Sequence, residues 1–588
     1  MKTLFKQVTY SLSKLIEEID SGEIGLPDIQ RPFVWTNTKV RDLFDSMYKG
    51  FPVGYLLFWE SSSDNKTRKI GTDDKQQIPR VLIVDGQQRL TSLYAVLKGK
   101  EVLGDNYKSH RIHIAFRPRD AKFEVANTAI CKDPEFIPDI SLLLSGAVKR
   151  NRFGRDFVEK LRKHREAKDD ELTETQEDHI HDCIDRFYEI PNYPFTVLEL
   201  SATLDDEMVS DIFVRINSQG KTLKQADFIL TLMSVFWDEG RSDLEHFCHN
   251  ARLPSTNEAS PFNYFIKPDP DQLLRVSVGL GFRRARLEYV RSLLRGKDLE
   301  TKQFSEERRI EQFGIFKQAQ AYTLDLQNWH EFIKTLLRAG YRSEDMITSQ
   351  MALLYSYIMF LIGKRDYAVD DFKLRNVIAR WFFMISLTRR YTGSPETIKE
   401  SDLGRLRTIK NSADFIKTLN RIINDELTED FWNITLPNEL DTSAARSPSL
   451  FAYYAALNLL EANVLFSNMK VSELLDPALK AKKKSVERHH LFPKKYLEKI
   501  GITNTKEVNQ IANFALVEWF DNIRIKDTPP SKYFSKYADR FSASEIEKMC
   551  YWHALPEDFE QMDYPTFLSE RRKLMAKVIR DGFSKLNT

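Results

Sequence analysis

Val81-Leu82-Ile83-Val84-Asp85-Gly86-Gln87-Gln88-Arg89 decides how the first third of this chain is read. The four leading apolar residues have the length of a buried strand, and Leu90, Leu93, Tyr94 and Leu97 then recur at helical spacing. Asp85-Gly86 falls between the two periodicities, so the stretch reads as strand, tight turn and helix. A glycine at such a turn lets the backbone approach a bound group, and the N–H groups of a helix start favour an anion. Gln87, Gln88 and Arg89 add side-chain donors, with the planar fork of Arg89 suited to a phosphate. The plainer alternative is a capped helix with a surface arginine.

Outward from this turn, strands and helices alternate. Val8, Leu12, Leu15, Ile16 and Ile19 fall on one helical face that ends near Gly22. Residues 24–35 read as extended, because Pro32 restricts Arg31 to non-helical backbone. Val40, Leu43, Phe44 and Met47 predict a helix, residues 55–59 a strand and residues 61–77 an exposed loop. Ile112, Ile114 and Phe116 alternate as in a strand, and residues 195–200 give another. Between them, residues 149–168 form a basic helix whose lysines and arginines suit a solvated face or a DNA contact. This interleaving is an α/β or α+β pattern.

Phe213-Val214-Arg215-Ile216-Asn217-Ser218-Gln219-Gly220-Lys221-Thr222 ends like a P-loop, yet Arg215 stands where the first glycine belongs. That excludes a Walker A motif and leaves a polar loop able to complete a nucleotide pocket. Residues 231–441 are helical in pattern. Their most apolar window, around Met351, Leu354, Tyr355, Ile358 and Ile362, is too short to cross a bilayer. Arg283, Arg284, Arg286, Arg291 and Arg295 make a basic stripe, and Arg389-Arg390-Tyr391 a smaller cluster. Such clusters suit nucleic-acid stacking or a core. Residues 442–449 read as a hinge.

A length of 588 residues implies several compact units, which we place at 1–235, 236–440 and 441–588. The net charge of +2 hides these local basic clusters, so nucleic-acid binding depends on patches. The four cysteines form no C-x-x-C pair, which argues against a disulfide scaffold or thiolate zinc site and for a reducing cytoplasm. The first residues lack the apolar core of a signal peptide, so no membrane partner is expected.

Near the C-terminus, Lys482-Lys483-Lys484-Ser485-Val486-Glu487-Arg488-His489-His490-Leu491-Phe492-Pro493-Lys494-Lys495 places two histidines in a basic segment, followed by Asn513 and Asn522. This order invites a His-Asn-His nuclease reading. Phosphodiester hydrolysis needs a base for water and a cation to offset charge on the phosphate. His490 would be the base, because imidazole titrates near neutral pH. His489 and Asn522 would hold one divalent cation, Mg2+ or Mn2+, and Asn513 would orient the His490 ring or its loop. Lys482, Lys483, Lys484, Lys494 and Lys495 would hold the polyanion. Neighbours on a strand face opposite ways, whereas at an irregular strand end both histidines can reach one site. A surface His-His pair without chemistry is the alternative.

The N-terminal third resembles the GmrS-type domain of the GmrSD restriction endonuclease family through Gln30-Arg31-Pro32-Phe33-Val34-Trp35, Val84-Asp85-Gly86-Gln87-Gln88-Arg89-Leu90-Thr91 and residues 213–227. The C-terminal part resembles its GmrD-type HNH domain through His489-His490-Leu491-Phe492-Pro493, Asn513 and Asn522. The resemblance implies an α+β multidomain fold. It comprises a ParB/sulfiredoxin-like α/β N-terminal domain, a mainly α-helical middle, and a C-terminal HNH (ββα-metal) nuclease domain embedded in helices. It also implies binding and hydrolysis of GTP or another nucleoside triphosphate through Gln30, Arg31, Asp85, Gly86, Gln87, Gln88, Arg89, Arg215 and Asn217, and cleavage of phage DNA, often modified. A homodimer is compatible with it. Many members carry an acidic residue where His489 stands, so a metal site here would have a different ligand. Two rivals stay open: a nucleotide-gated regulatory DNA-binding protein with a degenerate histidine site, and a ribonuclease toxin.

Overall fold

The structure is a computed structural model describing residues 3–25, 35–60, 79–103, 109–144, 150–167, 170–204, 208–209, 212, 216, 226, 229–230, 233, 237–255, 258–294, 296–297, 301, 303, 305–392, 395–479 and 487–587. The chain groups into two compact units, Met1–Leu223 and Lys224–Thr588. The segments 236–440 and 441–588 lie together in the second.

The first unit is built on a mixed five-stranded sheet in the order β1-β9-β3-β4-β2. Its early elements are β1 (Phe5–Ser11), α1 (Leu12–Ser21), β2 (Ile24–Gly25), α2 (Asn37–Lys49), β3 (Leu56–Glu60), β4 (Val81–Asp85) and α3 (Gln87–Lys98). Two hairpins follow, β5 (Glu101–Leu103) with β6 (Ser109–Arg111), and β7 (Ile114–Arg117) with β8 (Lys122–Val125). β9 (Pro194–Leu200) then returns to pair antiparallel with β1 and parallel with β3.

Period-two alternation gives this sheet two apolar faces. Leu56, Phe58, Val81, Phe195 and Val197 pack with Leu15 and Ile16 of α1, Phe44 of α2 and Leu90 and Leu93 of α3. Leu57, Trp59 and Leu200 face the other way, where Leu82, Val84 and Leu198 join them. Burial on both sides explains why the β4 sequence is a continuous apolar run. Val8 corrects the sequence reading: it lies in β1 opposite Val197. The helix starts only after Ser11, whose hydroxyl accepts from the Lys14 N–H, and it ends at Gly22 as expected. The four-residue step from Val8 to Leu12 mimics helical phase across a strand–helix junction.

The basic helix is Arg150–Glu166, and it pairs within its own unit, Arg162 with Glu177 and Arg165 with Glu135. Residues 61–77, 213–215 and 217–222 lie outside the described residues, apart from Ile216, as do most of residues 26–35.

Among the described residues, the second unit is mainly helical, with a two-stranded sheet of β10 (Glu487–His490) and β11 (Phe514–Val517). Helix Gln350–Arg365 is buried on nearly every side, as its sequence implies, and packs on Asp371–Leu387. That helix in turn touches Pro448–Leu459, which packs along Tyr564–Ser584. A Cβ at Gly582 would fall 2.5 Å from the Ala456 Cβ, so glycine sets this close helix approach. Residues 442–449 are not a hinge: Ser447 and Ser449 are buried and share a 2.6 Å hydroxyl contact, and Thr442 accepts from the Ile511 N–H. The basic clusters are internally paired, Arg283 with Asp366, Arg284 and Arg407 with Glu400, and Arg390 with Asp402. Among the described residues, no helix is long and apolar enough to cross a membrane.

Arg571 is fully buried and donates to the carbonyls of Ala512 (2.5 Å), Phe514 (2.8 Å) and His553 (3.0 Å). Arg571→Met keeps apolar bulk but leaves these acceptors unpaired, at about 1–3 kcal/mol for each acceptor left without water. Urea unfolding of the full chain is expected to show a loss of at least about 3 kcal/mol.

Candidate functional site

In the first unit, the observed strand, turn and helix follow the sequence reading. Gly86 is the N-cap residue of α3 at φ 97°, a conformation that favours glycine. A Cβ there would overlap the Leu56 side chain. β3 and β4 shift register between Leu57 and Phe58, beside the turn, where Leu57 opposes Asp85.

Arg89, expected as a phosphate grip, has its guanidinium engaged with backbone in this structure. Its guanidinium points back to the entry of β3, donating to the carbonyls of Val53 (2.8 Å) and Tyr55 (2.9 Å), with Asp85 at 3.4 Å. Burial opposes its charge, while Asp85 favours it. A Cβ on Gly54, at φ 84°, would fall 2.7 Å from the arginine Nη1, so glycine makes room for the fork. Asp85, Gly86, Gln87 and Gln88 remain together at the start of α3. Gln30, Arg31, Arg215 and Asn217 lie outside the described residues, so their relation to the turn is not described.

In the second unit, β10 pairs antiparallel with β11, placing His489 opposite Ala515 and His490 opposite Phe514. Helix Trp519–Ile525 follows β11 directly and carries Asn522. The two histidines have separate hydrogen-bond partners, Asn522 for His489 and Asn509 for His490. His489 is buried, its Nδ1 lies 2.9 Å from Asn522 Oδ1, and its ring meets Tyr533 edge-on at 5.5 Å. Burial lowers its pKa to about 4, so it is a neutral imidazole at pH 7. His489 Nε2 is buried without a hydrogen-bond partner.

His490 is half-buried. Its Nε2 lies 3.0 Å from Asn509 Oδ1, and its ring packs on Phe514 at 4.4 Å. Burial lowers its pKa, Asn509 works against that shift, and nearby Lys494 adds to it. Lys494 and Lys495 are exposed at the start of helix Lys494–Lys499. Lys482, Lys483 and Lys484 lie outside the described residues.

Asn513 holds the loop rather than the ring of His490. Its Oδ1 accepts from the Phe492 N–H at 2.9 Å, and its Nδ2 donates to the carbonyls of Phe492 (3.1 Å) and Val508 (3.0 Å). The side-chain amide is thereby consumed on backbone, in a fully buried position.

His489 and Asn522 are the residues that could hold a hard divalent ion, once the proton between them moves. Two ligands at right angles, each about 2.1 Å from an Mg2+ ion, stand about 3 Å apart. The Nδ1–Oδ1 separation of 2.9 Å matches that spacing and is at the same time a hydrogen bond: the amide oxygen only accepts, so the neutral ring carries its proton on Nδ1, and ligation through Nδ1 would require that proton to move to the buried Nε2. Among the described residues no group of three or more His, Cys, Asp or Glu gathers for a metal. The remaining positions would therefore fall to water or phosphate oxygens.

The sequence reading missed Asn509, Tyr533 and Arg571. Asn509 is the C-cap of the short helix Thr505–Val508, a position with no motif spacing to mark it. Tyr533 donates to the Leu491 carbonyl at 2.8 Å, beside the histidine pair.

Residues 12–234 match the family model of the GmrSD restriction endonuclease N-terminal domain. The match covers most of the N-terminal unit and ends before the histidine site. Over 555 residues the chain is also 22% identical to the uncharacterized protein MJ0686 of Methanocaldococcus jannaschii, covering 89% of this chain and 86% of that protein.

Arg89→Ala removes charged donors from two backbone carbonyls, each such hydrogen bond contributing about 1.5–3 kcal/mol. Thermal denaturation is expected to show the first unit destabilised by about 2–3 kcal/mol. An unchanged midpoint would mean the fork does not hold β3 in solution.

Proposed function

We propose that the protein is a type IV-like restriction nuclease that cuts phage DNA, often modified, through its C-terminal histidine site under control of a nucleotide bound in the N-terminal unit. The observation that carries this reading is the meeting of His489 with Asn522, next to His490, on two antiparallel strands followed by a helix. This is the order of parts in an HNH nuclease of the ββα-metal type. The GmrSD-type N-terminal unit supplies the restriction context.

In this reading His490 takes a proton from the attacking water, and its lowered pKa leaves it neutral and able to accept one at pH 7. Lys494 and Lys495, exposed beside it, bind the DNA backbone. His489 and Asn522 would hold a divalent ion, Mg2+ or Mn2+, which when bound supplies positive charge for the phosphate and the leaving oxygen. Asn513 keeps the Leu491–Phe492 loop closed behind the histidines.

For the nucleotide, the start of α3 at Gln87 and Gln88 is the proposed phosphate contact, with GTP or another nucleoside triphosphate as ligand. Arg89 supports that turn through its bonds to the Val53 and Tyr55 carbonyls just ahead of β3. The family resemblance implies Gln30, Arg31, Arg215 and Asn217 as further nucleotide-binding residues, and a ParB/sulfiredoxin-like fold for this unit.

The test is plasmid and matched modified and unmodified phage DNA incubated with Mg2+ or Mn2+, with and without each nucleoside triphosphate. His490→Ala is expected to lower cleavage by at least about a hundredfold, from the usual contribution of a general base, with nucleotide hydrolysis intact. His489→Ala and Asn522→Ala are expected to weaken Mn2+ binding in calorimetry of the full chain. Cleavage unchanged in His490→Ala would remove the site assignment. Cleavage of tRNA but not DNA would favour a ribonuclease.

A further inference from the structure

We propose that Asn509 is the positioning residue of the nuclease site, fixing the His490 imidazole with its proton on Nε2 and its bare nitrogen, Nδ1, as the atom that receives the water proton. This rests on the nuclease reading above and adds to it which nitrogen acts and what sets it.

The geometry is direct. Asn509 Oδ1 lies 3.0 Å from His490 Nε2, and an amide oxygen can only accept. The shared proton is therefore on Nε2, and the neutral ring keeps its lone pair on Nδ1. Phe514, 4.4 Å away, packs against the same ring, so its orientation is fixed by a packing contact as well as a hydrogen bond.

Asn509 is itself held. Its N–H bonds the Thr505 carbonyl at 3.1 Å, closing the end of the short helix. The two preceding carbonyls are pinned, Glu507 by the Tyr564 hydroxyl at 2.9 Å and Val508 by Asn513 Nδ2 at 3.0 Å. The Asn513 amide also brackets Phe492 through both its N–H and its carbonyl, two residues beyond His490. One buried side chain thus ties the strand end carrying the base to the segment carrying the residue that orients it. Asn513 acts through Asn509 and the loop, whereas Asn509 touches the imidazole.

The chemistry balances. A water O–H bond breaks and its proton goes to His490 Nδ1. The water oxygen bonds to phosphorus, the P–O bond to the leaving sugar oxygen breaks, and that oxygen takes a proton from solvent. An imidazole with its proton on Nδ1 would present an N–H where the water proton must go. A preference for one tautomer therefore acts on turnover rather than on DNA affinity.

The test combines a spectroscopic signature with kinetics on the full-length protein. Long-range 1H–15N spectra of the metal-free, histidine-labelled protein report which ring nitrogen is protonated, with His490→Ala identifying the signals. We expect wild type to show the Nε2–H form and Asn509→Ala to show a mixture or the Nδ1–H form. Asn509→Asp, whose carboxylate can still accept, should return to Nε2–H. In plasmid nicking, Asn509→Ala should lower kcat about ten- to a hundredfold with KM changed less than about twofold, and Asn509→Asp should recover most of kcat. A wild-type Nδ1–H form, or an Asn509→Ala variant with unchanged tautomer and kcat, overturns the proposal. If wild type cuts no nucleic acid, the nuclease reading fails, and the spectra alone still decide whether Asn509 orients the ring.

Discussion

A charge buried without a carboxylate among its hydrogen-bond partners holds the C-terminal site together. Arg571 gives its guanidinium hydrogens to the carbonyls of Ala512, Phe514 and His553, and burial lowers its pKa against that cost. Two of those acceptors flank Asn513. Fixing the backbone on both sides of Asn513 aims its amide, and the amide then spans Phe492 and Val508. The order of dependence runs from helix Tyr564–Ser584, through Arg571, to β11 and finally to the two histidines on β10. A buried charge suits this task because several carbonyl dipoles can converge on one planar fork, which a neutral side chain of the same bulk cannot arrange.

The N-terminal unit solves a similar problem with a different residue. β4 and α3 meet at a turn where Gly86 has a positive φ and no room for a side chain, because Leu56 of β3 packs against it. Arg89 bridges that junction by reaching the Val53 and Tyr55 carbonyls, and Gly54 leaves space for it. The residue chemically best suited to grip a phosphate is thus occupied in shaping the turn. The start of α3 is left as the face where the backbone itself can meet an anion.

The strand, turn and helix at residues 81–98 were legible in the sequence because two periodicities abut with a glycine between them. The histidine pair and its asparagines stood out for a different reason: phosphodiester hydrolysis would call for those residue types in that order. What could not be read was partnership across long separations. Arg89 bonds carbonyls 34 and 36 residues away, and the Arg284 stripe ends on Glu400, 116 residues on. Composition marks such arginines as candidate anion binders, whereas tertiary packing turns them into internal ties. Val8 misled in the opposite way, because a strand running straight into a helix can keep apolar residues in helical phase for one step. Asn509 was hidden because its importance comes entirely from being carried to His490 by a four-residue helix.

The departure at residue 489 is best weighed through charge. Both histidines are pushed toward the neutral form by burial, although they face different partners. For His490 neutrality is what the proposed role as base would require. For His489 it means that, with Asn522, the chain offers two uncharged donors where an acidic residue would bring a negative charge. A divalent ion held by neutral donors keeps its full charge for a phosphate, and it is held less tightly by the protein alone. Such a site would depend more on the DNA phosphate for its affinity, so ion and substrate would be expected to stabilise each other's binding.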